Sequence, residues 1–170
     1  MTMTATATNI RKNDFVTLNA DTTKYGYTVK AGSKCRVWKA QRDGTLSLST
    51  ETNGVSLYVN IADVTKVQKP KADVKVGDIF VCSWGYEQTN IDFYKIVEVT
   101  KSSVKYVRLG AERRYTGPMQ GECAPTNQTS GPTKTARINV GLNGAVGFKV
   151  YSYASAYKWS GQPCFFSEWH

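Results

Sequence analysis

The chain has 170 residues, 41% hydrophobic and 21% charged, a balance that excludes wholesale disorder, and no apolar run is long enough to cross a bilayer as a helix. Lys and Arg total 22 against 13 Asp and Glu, and the resulting +9 attracts polyanions over a Debye length of about 8 Å at physiological salt, with nucleic acid the commonest such partner. Cys35, Cys82, Cys123 and Cys164 form no Cys-x-x-Cys pair and the one histidine is His170, which argues against a zinc site and against a Cys-His nucleophile. No metal or cofactor is expected, and the cysteines read as small buried hydrophobes with free thiols.

The 52 Val, Thr, Ile and Tyr residues against 28 Ala, Leu, Glu and Met favour pleated surfaces over helices, so the fold class is mainly β. The Thr-rich opening, residues 1–10, has no hydrophobic period and reads as a flexible tail; it also lacks the apolar core of a signal peptide, which makes the cytoplasm the expected location. Short β-rich runs then follow at Phe15 to Leu18, Lys34 to Ala40, Thr45 to Leu48, Ser56 to Val59 and Val64 to Val67. Turn residues separate them at Lys30-Ala-Gly32, Arg42-Asp-Gly44 and Thr52-Asn-Gly54, where Asp-Gly and Asn-Gly supply the positive φ that tight hairpins need. Five short strands in residues 11–70 predict a small SH3-like or OB-like barrel.

Gln68 to Lys75 is polar and reads as a linker to a second β module over residues 71–170. There Val76-Gly-Asp-Ile-Phe80 echoes Lys12-Asn-Asp-Phe-Val16, a polar turn with Asp leading into an apolar strand, and strands follow at Phe93 to Val99 and Ser103 to Leu109. Residues 117–135 are rich in Gly, Pro, Ser, Thr and Asn and are expected to form a long loop. Gly141-Leu-Asn-Gly144 turns one strand, Ala136 to Val140, into another beginning near Val146, and Cys164 to Phe166 closes the pattern.

Three clusters are candidates for recognition. Alternation places Lys34, Arg36 and Trp38 on one face of a strand, opposite Cys35, Val37 and Lys39, so that cations could meet phosphates while the indole stacks on an unpaired base. Lys105, Tyr106, Arg108, Arg113, Arg114 and Tyr115 form a second basic-aromatic group, with the paired arginines expected in or near a turn where their guanidinium forks reach phosphates. Tyr151, Tyr153, Tyr157 and Trp159 would share one side of a continuous strand, as a buried face or as a stacking platform.

The densest polar stretch runs from Ser83 to Tyr94, and within it Trp84, Tyr86, Glu87, Gln88, Asn90 and Asp92 are a candidate polar site; Glu87 and Asp92 are its only carboxylates. Its pattern, Gly77-Asp-Ile-Phe80, Ser83-Trp-Gly-Tyr-Glu-Gln-Thr-Asn90, Asp92-Phe-Tyr94 and the later Trp159-Ser-Gly-Gln-Pro163, resembles a family of small proteins from bacteriophages and mobile elements over about residues 75 to 166. The resemblance implies a phage-like origin, a setting in which accessory proteins commonly bind nucleic acid or block host proteins, and it carries no assigned activity onto individual residues. The expected function is therefore non-enzymatic binding of single-stranded nucleic acid or RNA. The alternatives are a protein-interaction module directed at a host protein, a minor structural component and, third, a metal-dependent nuclease built on Glu87 and Asp92.

Overall fold

A computed structural model describes residues 9–50, 55–68, 71–141 and 143–169. The chain divides into two compact units, residues 1–70 and 71–170. Among the described residues the regular structure is β-strand with a single turn of 3-10 helix, and no helix is long and apolar enough to cross a membrane.

In the first unit, β1 (Phe15–Leu18), β4 (Lys34–Ala40), β5 (Thr45–Thr50), β6 (Ser56–Asn60) and β7 (Val64–Val67) form one antiparallel sheet. The order is β6-β5-β4-β1-β7. Alternate residues turn to a common side and make its core: Val37 lies opposite Leu48, which lies opposite Leu57, and Leu46 lies opposite Val59. The outermost strands β6 and β7 are joined only by a 3-10 turn, η1 (Ile61–Asp63), capped by Asn60, whose side chain accepts from the Ala62 amide at 3.0 Å. At about 2 Å of rise per residue such a turn spans little, so the sheet has to curl until its two margins approach. A two-stranded ribbon missed by periodicity, β2 (Thr22–Lys24) and β3 (Tyr27–Val29), stands between β1 and β4 in the chain. The Asn-Gly turn expected at 52–54 and the first eight residues of the tail expected over 1–10 lie outside the described residues, and the tail expectation fails at its end, where Ile10 is buried in this core.

The second unit contains β8 (Ile79–Trp84), β9 (Asn90–Val99), β10 (Ser103–Gly117), β11 (Gln120–Val140), β12 (Val146–Lys149), β13 (Ser155–Lys158) and β14 (Cys164–Ser167). Each strand from β8 to β13 pairs antiparallel with its sequence neighbours, and β13 pairs back onto β8, so six strands close into a ring. An even number of strands lets the last meet the first antiparallel. Every strand sends side chains inward: Phe80 and Cys82, Tyr94 and Ile96, Val104 and Tyr106, Val140, Val146 and Phe148, and Ala156. The intervening residues Ile79, Val81, Ile91 and Phe93 face outward into a second core with Leu109, Cys123, Trp159 and Phe166, which is why β8 and β9 are apolar on both sides.

The 117–135 segment is not a loop. Residues 120 to 140 form the longest strand of the protein, laddered onto β10 from Gly117↔Gln120 to Ser103↔Arg137. The turn-forming residues are absorbed as irregularities: between Leu109/Ala111 and between Tyr106/Arg108 the register slips, so that Thr126 to Gln128 face Gly110 alone and Gly131 to Thr133 face Val107 alone, two extra residues on β11 at each place. Nor is the whole linker idle, since Ala72 and Val74 pack against the ring's core.

Both units enter their first strand through the same local device. Asp14 Oδ2 accepts from the Arg11 amide at 2.8 Å and Asp78 Oδ2 from the Lys75 amide at 2.9 Å, with Asn13 and Gly77 at positive φ just before each. A lysine from a later strand then closes on each carboxylate, Lys66 at 2.7 Å and Lys158 at 3.0 Å.

Candidate functional sites

On β4 the burial pattern alternates as far as Val37 and then stops, because the pairing with β5 slips between Val37 and Lys39. The bulge leaves Trp38 and Lys39 both exposed, so Lys39 does not join Cys35 and Val37 on the core side. Trp38, 58% exposed, lines an open groove of about 580 Å³ with Arg11, Lys12 and Lys39. Lys34 and Arg36 continue along the outer face of the same strand, and Arg36 Nη2 donates to Asn13 Oδ1 at 3.0 Å. Among the described residues, the first unit's ion pairs are Lys30–Asp21 and Lys66–Asp14, neither of which involves this groove. Charge alone did not single out Arg11, Lys12 and Lys39; the Val37-Trp38-Lys39 break in alternation becomes visible only once the register is known.

The second basic cluster is arranged differently. Tyr106, 3% exposed, packs inside the ring with its centroid 4.7 Å from Phe148 and its ring edge-on to Tyr94, so it cannot stack on a base from solvent. Arg113 and Arg114 lie within β10 rather than in a turn. Each cation of the group meets a carboxylate: Lys105 with Glu98 at 2.7 Å, Arg108 with Asp92, Arg113 with Glu168, and Arg114 with Glu122 at 2.7 Å. Tyr115 donates to Glu168 Oε2 at 2.9 Å while its ring sits edge-on to Phe166, and Arg113 lies over the same Phe166 ring. The Tyr151 to Trp159 ladder is also divided. Tyr151 and Tyr153 precede β13 in a bend, Tyr157 is exposed on the strand, and Trp159 packs edge-on to Phe93 in the second core.

The candidate polar site separates into a turn and a ring mouth. Gly85, at φ +131°, begins the β8–β9 connection, where Tyr86 and Glu87 are exposed and Gln88 Nε2 donates to Asn90 Oδ1 at 3.3 Å. Gln88 Oε1 also accepts from the Trp169 amide at 3.2 Å, while Asn90 Nδ2 is buried without a hydrogen-bond partner among the described residues. Asp92 instead points into the ring, 3% exposed. Its carboxylate accepts from Trp84 Nε1 at 2.8 Å, from the Tyr151 hydroxyl at 2.9 Å and from Arg108 Nη2, with the Tyr94 hydroxyl 3.4 Å away. Glu87 and Asp92 therefore face different surroundings, and among the described residues no three His, Cys, Asp or Glu side chains group as a metal site.

Asp92 shapes the acidities around it. Burial, then the adjacent Asp92 carboxylate, push the Cys82 thiol up to about 11. Burial, the contact with Tyr151 and the Asp92 charge all raise Tyr94. For Tyr151 the hydrogen bond from Tyr94 acts downward, and burial together with Asp92 outweighs it, so the net shift is upward. Both phenols are thus held protonated at neutral pH. Tyr151 and Tyr153 stack at 5.4 Å with planes 8° apart, and Trp84 tilts against both. Beside this network a cleft of about 200 Å³ opens between Tyr94, Tyr106, Arg108, Lys134, Tyr151 and the Ser130-Gly-Pro132 bulge of β11.

No protein-family model matches the chain, and no curated protein matches it.

Proposed function

We propose that this is a non-enzymatic, phage-type nucleic-acid-binding protein, that it prefers single-stranded nucleic acid or RNA, and that the contact surface is the groove around Trp38 in the first unit. The observation that carries the reading is an exposed indole with Arg11, Lys12 and Lys39 lining one open groove and Arg36 and Lys34 continuing along β4. A base stacked on an aromatic side chain contributes roughly 1–3 kcal/mol whatever its identity, and neighbouring cations hold the sugar-phosphate track. The order β6-β5-β4-β1-β7, with a 3-10 turn joining the two outermost strands, supports an SH3-like reading of this unit. The second unit is read as a small closed barrel. Its paired arginines are offered as structural rather than as the main phosphate contacts, because each already has a carboxylate partner.

Fluorescence anisotropy of a labelled single-stranded oligonucleotide tests the reading. Affinity should fall steeply with salt, and Trp38→Ala should weaken binding about tenfold. Removing Lys12 and Lys39 together should flatten the salt dependence by roughly 0.7 for each phosphate no longer neutralised. Unchanged affinity in Trp38→Ala, with the fold intact by circular dichroism, would reject the groove.

A second reading has its own support. Tyr25 and Tyr27 on the β2–β3 ribbon and Tyr58 on β6 are exposed, with the Lys24 ammonium 3.7 Å from the Tyr58 ring centroid. Exposed aromatics with an adjacent cation suit a protein hot spot, as a host-directed inhibitor would need, and a stoichiometric protein partner retained after nuclease treatment would reveal it.

A further inference from the structure

We propose that the mouth of the six-stranded ring is a binding pocket for a sugar phosphate, the chemical unit shared by a free phosphorylated pentose and the ribose phosphate of a mononucleotide. The pocket lies in the second unit and does not rest on the Trp38 groove.

The Arg108–Asp92 pair motivates it. A carboxylate buried to this degree is a poor way to gain stability, because its desolvation offsets most of the attraction it provides. What the pair does provide is orientation. Asp92 engages Arg108 through Nη2, while the Arg108 side chain remains 56% exposed and lines the cleft, so the other guanidinium N–H groups are presented at a fixed position on its wall. Lys134, across the β10–β11 ladder from Tyr106, lines the same cleft with a second positive charge and has no ion-pair partner among the described residues. Two cations on one wall suit a phosphate dianion.

The rest of the lining suits the sugar. The Tyr151 hydroxyl directs its proton to Asp92 and takes a long contact from Tyr94 at 3.4 Å, leaving one acceptor position for a ligand hydroxyl. The Tyr151 ring supplies an apolar wall for a C–H face of a sugar, the buried Tyr94 and Tyr106 adding only the little surface they leave open to the cleft, and the Tyr153 stack and Trp84 brace Tyr151. A volume of about 200 Å³ admits a phosphorylated pentose but is small beside the usual span of drug-sized pockets, roughly 300–1,000 Å³. The Gly131-Pro132 bulge forms the rim, and Gly131 takes φ +75° there, so the register slip that lengthens β11 also opens the pocket.

Isothermal titration of the full chain with ribose 5-phosphate, adenosine monophosphate, ribose and inorganic phosphate tests the proposal. Saturable binding of ribose 5-phosphate, tighter than ribose or inorganic phosphate, is expected. Lys134→Ala, an exposed substitution, should weaken it about tenfold, one charge-assisted hydrogen bond's worth. Tyr151→Phe should weaken ribose 5-phosphate while sparing inorganic phosphate, and Trp38→Ala should leave both unchanged, which separates this pocket from the nucleic-acid groove. Adenosine monophosphate binding as tightly as ribose 5-phosphate, or more tightly, with the same Lys134 dependence identifies a nucleotide as the source; weaker binding identifies the free sugar phosphate. Absence of saturable binding, equal affinity for inorganic phosphate and ribose 5-phosphate, or indifference to Lys134→Ala overturns the proposal.

Discussion

Asp92 shows how one side chain organises its surroundings. It sits in the apolar run Ile91-Asp92-Phe93-Tyr94 and is held by donors far away in sequence, Arg108 and Tyr151, as well as by nearby Trp84. Replacing it with alanine leaves a guanidinium, an indole N–H and a phenol facing a small cavity without their acceptor. Asp92→Ala should therefore destabilise the second unit by about 1–3 kcal/mol, the cost of the stranded indole and phenol donors with Arg108 left to solvent, read from the denaturant midpoint of that unit's unfolding. Proximity in sequence groups Asp92 with Glu87 as the carboxylates of one polar site, and the structure separates them, Glu87 exposed and Asp92 buried. Its partners were not legible, because tertiary contact alone brings Tyr151 to it. The same limit explains Tyr106, grouped with Lys105 in sequence but packed inside the ring while Lys105 pairs with Glu98 outside it.

Among the strands, β1, β4 and β7 begin and end where apolar alternation and flanking turn residues placed them. β11 defeats the same reasoning. Its Gly, Pro, Ser and Thr residues are poor strand formers taken alone, yet β10 offers a complete ladder, and two bulges accommodate the residues that cannot keep step. The aromatic ladder fails for the converse reason, since alternation continues through residues 151 to 159 while the backbone bends before β13. Turns are more predictable because their steric demands are local. At Gly85 a Cβ would stand 2.0 Å from the Gln88 carbonyl oxygen in a backbone conformation with φ +131°. Gly85→Ala should cost about 1–3 kcal/mol and loosen the β8–β9 connection, seen as faster amide exchange from Gln88 to Asn90. At Gly121 the demand is close approach, with a Cβ placed 2.3 Å from the Arg114 carbonyl oxygen across the hairpin.

Across both units acid stability follows from the repeated aspartate turn. For Asp14, burial acts upward, but Lys66 and the Arg11 amide outweigh it and hold the carboxyl below its usual 3.8. Asp78 is lowered in the same way, burial being outweighed by the Lys75 amide and Lys158. A carboxyl more acidic in the folded state than in the unfolded one contributes stability above the unfolded value and loses it as pH falls through the folded value. Each unit should therefore hold its stability above about pH 5 and lose part of it below about pH 4, with Asp14→Asn flattening that loss in the first unit and Asp78→Asn in the second, as followed by urea unfolding across pH. The division at residue 70 and the β class are consequences of local pattern, whereas the closing of six strands into a ring depends on a pairing between strands distant in sequence.

That last pairing has a temporal cost. Val81 pairs early with Phe93 on one side, but its partner on the other side is Tyr157, so at ribosomal rates of roughly 5–20 residues per second the first strand of the ring waits several seconds with one unsatisfied backbone margin. A nascent chain in that interval offers a sticky edge to its neighbours on a polysome, and slowing translation across residues 100 to 150 would raise the yield of insoluble product.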